Sequence, residues 1–250
     1  MFDFHLHLAR LSNPENIADE LNRRGYHYVD VGCEPWEWAK VRDLNRAEAS
    51  CTGKCAEVNC AAYGFHPMIA EKVTEEDFAT LRKFLESDTD AQVGEAGLDR
   101  RFPGYEPGGV QESVFRRQAE LALELGRDIQ IHCVGDYMRI VKVLREAGFK
   151  TGVAQNNVPR PVFHRFGGDV SAVRAGIELG AIFSLHKDSF RKKSTVAAIP
   201  LIPRDCVRFE TDADETYCKA CAVPTTEIAE ALIKDLGDVQ RLYELAIKGA

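Results

Sequence analysis

The sequence predicts a (β/α)8 barrel of the TIM-barrel type, and three observations carry that expectation. Short apolar or alternating runs recur eight times, amphipathic stretches lie between them, and no Ser/Gly-rich linker or low-complexity break interrupts the 250 residues. An open doubly wound sheet would carry a Gly-rich phosphate loop after its first strand, and "HLARLSNPEN" has none. With 45% hydrophobic and 9% aromatic residues, the chain can bury one large core. One barrel over residues 1–250 is therefore expected.

The elements follow in chain order. "FDFHLHL" (Phe2 to Leu8), read as a strand, puts Phe2, Phe4, Leu6 and Leu8 on one side and Asp3, His5 and His7 on the other. Asn13 and Pro14 form a cap and first turn for a helix ending near Gly25. "YVDVG" (Tyr28 to Gly32) is the second strand, and "VNCAAYGFHP" (Val58 to Pro67) is the third. Thr74 with Asp77 caps a helix running to about Glu86, before the fourth strand "AQVGEAGLD" (Ala91 to Asp99). "VQESVFRRQAELALELG" carries apolar residues at helical spacing and stops at Gly126. "DIQIHC" (Asp128 to Cys133) and "PVFHRF" (Pro161 to Phe166) are strands five and six, with the helical "YMRIVKVLREAG" between them. "DVSAVRAGIELG" leads to strand seven, "AIFSL" (Ala181 to Leu185), and the helical pattern around Asp188 to Ala198 is weak. "CVRFETD" (Cys206 to Asp212) is strand eight, and "TTEIAEALIKDLG" is a last helix stopping at Gly.

Barrels of this kind carry their chemistry at the C-terminal ends of the strands. His5 and His7 lie on the first strand, His66 ends the third, and Glu95 ends the fourth. His132 ends the fifth, His164 the sixth, and Asp212 the eighth, so five of the seven histidines share this address. His27 and His186 are read as structural. Four imidazoles (His5, His7, His132, His164) and two carboxylates (Glu95, Asp212) suit divalent zinc, manganese, iron or nickel. Burying two neighbouring imidazoles without a partner is costly, which favours metal ligation for His5 and His7. Two adjacent cations need a shared anion, and Glu95 on a central strand can supply it. Asp3 is expected to orient a ligand or lie on the barrel floor.

The formal net charge of −7 excludes long-range recruitment of a polyanion, so a nucleic-acid substrate needs a local positive device. Asp99, Arg100 and Arg101 follow Glu95 at the rim as either a solvated loop or a phosphate anchor. Lys187, Arg191, Lys192 and Lys193 form a basic run after the seventh strand. His66 either touches a substrate phosphate or caps a strand end. Cys51, Cys55 and Cys60 cluster before or at strand three, and Cys218 and Cys221 form a C-x-x-C pair after strand eight; opposite barrel ends argue against one joint site. No apolar run spans a membrane and no charged-then-apolar leader opens the sequence, so reduced thiols and a cytoplasmic location are expected.

"DFHLH", "GFHP" (Gly64 to Pro67), "GEAGLD" (Gly94 to Asp99), "IHC", "VFHRFGGD" (Val162 to Asp169) and "ETD" (Glu210 to Asp212) occur in the order of the TatD family. The resemblance to these metal-dependent deoxyribonucleases of the amidohydrolase-like barrel superfamily extends from Phe2 to about Ala213. It implies two divalent metal ions, with zinc first and magnesium, manganese or nickel as alternatives. His5 and His7 would hold one metal with Asp212, Glu95 would bridge, and His132 and His164 would hold the second. Glu95 and Asp212 would be the catalytic carboxylates, Asp212 as general base for a metal-activated water. DNA, single-stranded or at its ends, would be the substrate, held by His66, Arg100, Arg101 and Lys192. A metal-dependent amide or ester hydrolase of a small molecule on the same barrel is the alternative. The sequence departs from the family at Cys133-Val134-Gly135, at Ala213-Asp214-Glu215 and in the closing "VQRLYELAIKGA". The metal ligands are intact while the substrate-facing loops are remodelled.

Overall fold

A computed structural model describes residues 1–46, 59–150, 158–217 and 227–249. Eight parallel strands form one sheet in sequential order: β1 (Phe2–Leu6), β2 (His27–Gly32), β3 (Cys60–Tyr63), β4 (Gln92–Asp99), β5 (Ile129–Val134), β6 (Pro161–Phe163), β7 (Ile182–Leu185) and β8 (Val207–Phe209). Two backbone bonds join the two ends of the sheet, Asp212 N–H to His5 O at 2.9 Å and His7 N–H to Ala213 O at 2.8 Å. The helices are α1 (Pro14–Arg23), α2 (Pro35–Arg46), α3 (Glu75–Ser87), α4 (Val110–Leu125), α5 (Tyr137–Ala147), α6 (Val170–Glu178), α7 (Lys193–Ala198) and α8 (Ile228–Lys248). The eightfold alternation expected from the sequence is therefore present. No helix among the described residues is long and apolar enough to cross a membrane.

Hydrophobic periodicity explains the two layers. Outward strand residues Val93, Ile129, Ile131, Phe163 and Phe183 pack with Phe115, Ala119, Ile140, Leu144 and Val173 of the helices in the main core. Inside, Phe4, Val162 and Ile182 close the barrel floor as a smaller cluster. Each such buried side chain contributes about 1.5–3 kcal/mol relative to exposure. The Thr74–Asp77 capping box starts α3, and Gly126, in the left-handed region at φ 70°, ends α4, both as the sequence indicates. Gly97 in "GEAGLD" has a steric cause: a Cβ there would lie 1.9 Å from the His132 carbonyl oxygen. Only glycine lets β5 come this close to β4.

Four expectations need correction. The first strand does not alternate cleanly, because its register with β2 shifts between Asp3 and Leu6. Phe4 faces the interior cluster, Leu6 packs outward with Leu21 and Leu232, and Asp3 bonds to Tyr26 and Thr211, so Asp3 does not share the imidazole face. α2, absent from the sequence reading, buries Trp38 and Val41 on one face. α8 runs through Gly237 to Lys248, because Leu232, Leu236, Val239 and Tyr243 continue a buried stripe. That burial outweighs the cost of about 1 kcal/mol for one helical glycine. Finally, β1, β3, β6 and β8 are shorter than expected, leaving His7, His66, His164 and Asp212 just beyond the strand ends.

Candidate metal centre

The imidazoles of His5, His7 and His132 at the barrel top are each oriented by a hydrogen bond made through the other ring nitrogen. Gln130 donates through Nε2 to Gln92 Oε1 at 2.8 Å and to Phe4 O at 3.2 Å, so its Oε1 must accept from His5 Nδ1 at 3.2 Å. His5 Nε2 therefore carries the lone pair, and this buried atom has no hydrogen-bond partner. It lies 3.7 Å from Glu95 Oε2 and 3.9 Å from Asp212 Oδ1. His7 Nδ1 donates to Val31 O at 2.8 Å, which turns its Nε2 to Asp212 Oδ1 at 3.5 Å and Glu95 Oε2 at 3.7 Å. The short turn after His7 is held by Asp30, whose Oδ1 accepts from Leu8 N–H at 2.9 Å.

The other half of the site is built around Glu95 Oε1. His132 Nδ1 lies 2.5 Å from it and His164 Nε2 lies 2.7 Å from it. His132 Nε2 is 3.0 Å from Asp99 Oδ2, so a carboxylate orients that ring from behind. His164 Nδ1 is 3.4 Å from Glu210 Oε1, and that oxygen accepts from the Arg165 N–H. Asp3 supports the segment that follows the eighth strand, accepting from Thr211 N–H at 3.0 Å and Thr211 Oγ1 at 2.6 Å, next to Asp212. Arg165 and Asp212 are both non-glycine residues in the left-handed region, at φ 43° and 50°. Such conformations are costly and concentrate where a site demands them.

Burial alone would raise the Glu95 carboxyl, but the imidazoles of His164, His132 and His66 hold it well below the ordinary range. Asp212 behaves likewise: burial opposes its ionisation, while His7, His164 and His5 hold it ionised. Burial would lower His7, yet Asp212 and Glu95 push it up to about 9. Burial brings His66 down to about 3, so it stays neutral. Four inward imidazole nitrogens around two ionised carboxylates form groups able to hold a cation: His5–His7–Asp212 and Glu95–His132–His164 among them. The donor set fits divalent cations of the zinc type, and the unpartnered His5 Nε2 is the clearest sign.

All six ligands expected from the sequence converge on this centre. His66 reaches it too, with Nε2 3.9 Å from Glu95 Oε1, and its Nδ1 accepts from Met68 N–H as the strand-end cap. Asp99 does not belong to a solvated loop; it is fully buried behind His132. Arg101 is exposed and grips Asp99 through Nε and Nη2, while Arg100 is exposed and donates its N–H to Val134 O. Lys192 and Lys193 are exposed at the start of α7, Lys187 lies 3.5 Å from Asp235, and Arg191 lies 3.0 Å from Asp188. His186 is structural as expected, accepting from Asp188 N–H. Cys60 is buried in β3 among Val29, Val31 and Ala62; Cys51, Cys55, Cys218 and Cys221 lie outside the described residues.

Sequence reasoning passed over Arg165, Glu210 and Cys33. Arg165 Nη1 donates to Asp212 Oδ2 at 2.6 Å and its Nη2 pairs with Asp188, leaving a half-exposed guanidinium at the mouth. The signal lay inside "VFHRFGGD" and "ETD", next to residues already singled out. Nothing in the sequence marked Cys33 beyond its place at the end of the second strand.

A family model, TatD related DNase, matches residues 2–235. An uncharacterized metal-dependent hydrolase, YabD, from Bacillus subtilis is 27% identical over 194 residues, covering 72% of this chain and 73% of that protein. A 3'-5' ssDNA/RNA exonuclease TatD from Edwardsiella piscicida is 30% identical over 156 residues, covering 61% of this chain and 57% of that protein. The crystal structure of YJJV, a TatD homolog from Escherichia coli K12, superposes with a TM-score of 0.69 at 21% identity, covering 94% of this chain and 95% of that one. At that identity the superposition speaks for the barrel alone.

Proposed function

The chain belongs to the TatD-related DNase family of metal-dependent hydrolases, and from that premise we propose that it hydrolyses phosphodiester bonds of single-stranded nucleic acid with two divalent cations. The observation that carries the reading is the convergence of six ligand-type side chains, four imidazole nitrogens around two ionised carboxylates. The names of the exonuclease relatives favour nucleic acid over a small amide or ester. His5, His7 and Asp212 would hold one cation, His132 and His164 the other, and Glu95 would be shared. When bound, the cations supply Lewis acidity toward a phosphoryl oxygen and toward water.

The chain's own residues do the remainder. Glu95 balances positive charge between the two halves of the site. Asp212, with Oδ1 toward His5 and His7, is the acceptor for the proton of the attacking water. Neutral His66 stands at the edge, 3.9 Å from Glu95, and can donate to a phosphate oxygen without adding charge. Arg165, Arg101, Arg100 and Lys192 supply the positive device that an acidic chain needs to hold a backbone.

The test is direct. Chelator-treated protein reloaded with zinc, manganese, magnesium or nickel is assayed on end-labelled single-stranded DNA and RNA, a bis-nitrophenyl phosphate, and small amides and esters. Shortening of the labelled strands, abolished by chelation and restored by metal, is expected. Loaded protein that leaves every phosphodiester intact and cleaves an amide or ester would replace this reading.

A further inference from the structure

Cys33 follows β2 directly and is buried. Its Sγ lies 3.1 Å from Glu95 Oε2 and 3.7 Å from His7 Nδ1. Glu95 Oε2 is also the oxygen faced by the unpartnered Nε2 of His5 and by the Nε2 of His7, each at 3.7 Å. His7, Cys33 and Glu95 thus form a third ligand group that shares two members with the groups already described. Its backbone is held rigidly: Cys33 N–H donates to Glu37 Oε2 at 2.6 Å, and Glu37 is gripped by Arg10.

We propose that Cys33 Sγ is a ligand of the cation held by His5, His7 and Asp212, making that half of the centre a nitrogen, oxygen and sulfur site. Metal–sulfur and metal–oxygen bonds of about 2.3 Å and 2.0 Å give a sulfur–oxygen edge of roughly 3.0–3.5 Å for ligand angles of about 90–110°, which covers a four- or a five-ligand shell. The observed 3.1 Å lies within that range. The thiol proton leaves to solvent as the sulfur–metal bond forms. A thiolate selects zinc and cobalt over manganese and magnesium, whereas the all-nitrogen and oxygen half at His132 and His164 does not. The inference rests on the metal-binding part of the reading above, but not on its substrate.

Cobalt titration of the full chain reads this out without any activity measurement. The parent protein is expected to show near-ultraviolet sulfur-to-cobalt charge transfer, part of which disappears in Cys33→Ser and in Cys33→Ala. Zinc affinity of the Cys33→Ser variant should fall at least about tenfold, as even residues that only orient ligands cause losses of this size, while manganese affinity stays within about threefold. A Cys33→Ser spectrum identical to the parent's, or an unchanged zinc-to-manganese ratio, overturns the proposal. If both variants fail to fold, unaltered protein is alkylated at its accessible thiols, loaded with one equivalent of zinc and measured at the zinc absorption edge. A sulfur neighbour supports the proposal, and a shell of nitrogen and oxygen alone overturns it. Zinc binding without sulfur, together with strand cleavage, would sink this inference and leave the proposed function standing.

Discussion

On the two-cation centre proposed above, Asp99→Asn should weaken one cation and spare the other. Asp99 is fully buried, its Oδ2 is 3.0 Å from His132 Nε2, and its Oδ1 accepts from Arg101 N–H at 2.9 Å. Asparagine is isosteric and can keep the bond to the Arg101 N–H through its own Oδ1. Its amide nitrogen then faces His132 Nε2–H, donor against donor, at a buried position where an unsatisfied donor costs about 1–3 kcal/mol. Flipping the amide restores that contact only by losing the Arg101 N–H. Either way His132 loses the carboxylate that fixes its tautomer and raises its basicity, a change that typically costs 10–100-fold in metal affinity, or about 1.4–2.7 kcal/mol. Competition against a chromophoric chelator at neutral pH separates the two equivalents. One equivalent should weaken by that factor, and the one served by His5 and His7 should stay within about twofold. A folded variant that binds both equivalents as tightly as the parent, or loses both equally, would refute the reasoning.

Three further outcomes follow from the site. Arg165→Met removes the guanidinium bound to Asp212 and Asp188, and should raise KM for single-stranded DNA about tenfold while reducing the salt slope of binding by about one; unchanged values would make Arg165 a structural residue. For chelated protein, His7 is pushed from 6.5 up to about 9, so the folded state holds a proton there that the unfolded chain lacks. That stabilisation is complete below pH 6.5 and is lost as pH rises toward 9, at up to about 1.4 kcal/mol per pH unit. Asp3 and Asp30, pushed up to about 7 by burial, act in the same direction below that pH. Metal-loaded protein, whose His7 must be unprotonated, should lack the slope from His7; equal slopes in urea melts of the two forms would contradict this assignment. Saturating zinc at about 100 times Kd should stabilise the chain by about 2.7 kcal/mol, raising Tm by roughly 5–10 °C, and a Tm indifferent to chelator would remove the metal from the folded state.

Much of this protein was legible in its sequence because the relevant signals are local. Hydrophobic period separates strands from helices, Thr74 with Asp77 marks a helix start within four residues, and Gly126 marks a helix end. Histidines and acids recur at one strand end after another, so the six ligand-type residues could be named before any distance was known. What remained hidden depends on contacts between residues far apart in the chain. The register shift in β1 turns Asp3 to Tyr26 and Thr211, and a helix passes Gly237 because its buried stripe continues. Asp99 stands behind His132 because β4 pairs with β5 in one register, with Gly97 opposite His132. Cys33 meets Glu95 across an intervening strand, and Arg165, after β6, meets Asp212, after β8, across β7. By itself the sequence determined the kinds of side chain and the faces they favour, since propensity and periodicity act over a few residues. Only the closed barrel decided which atoms stand within 3 to 4 Å of one another, because the closure and register of eight strands are collective properties that no short segment encodes.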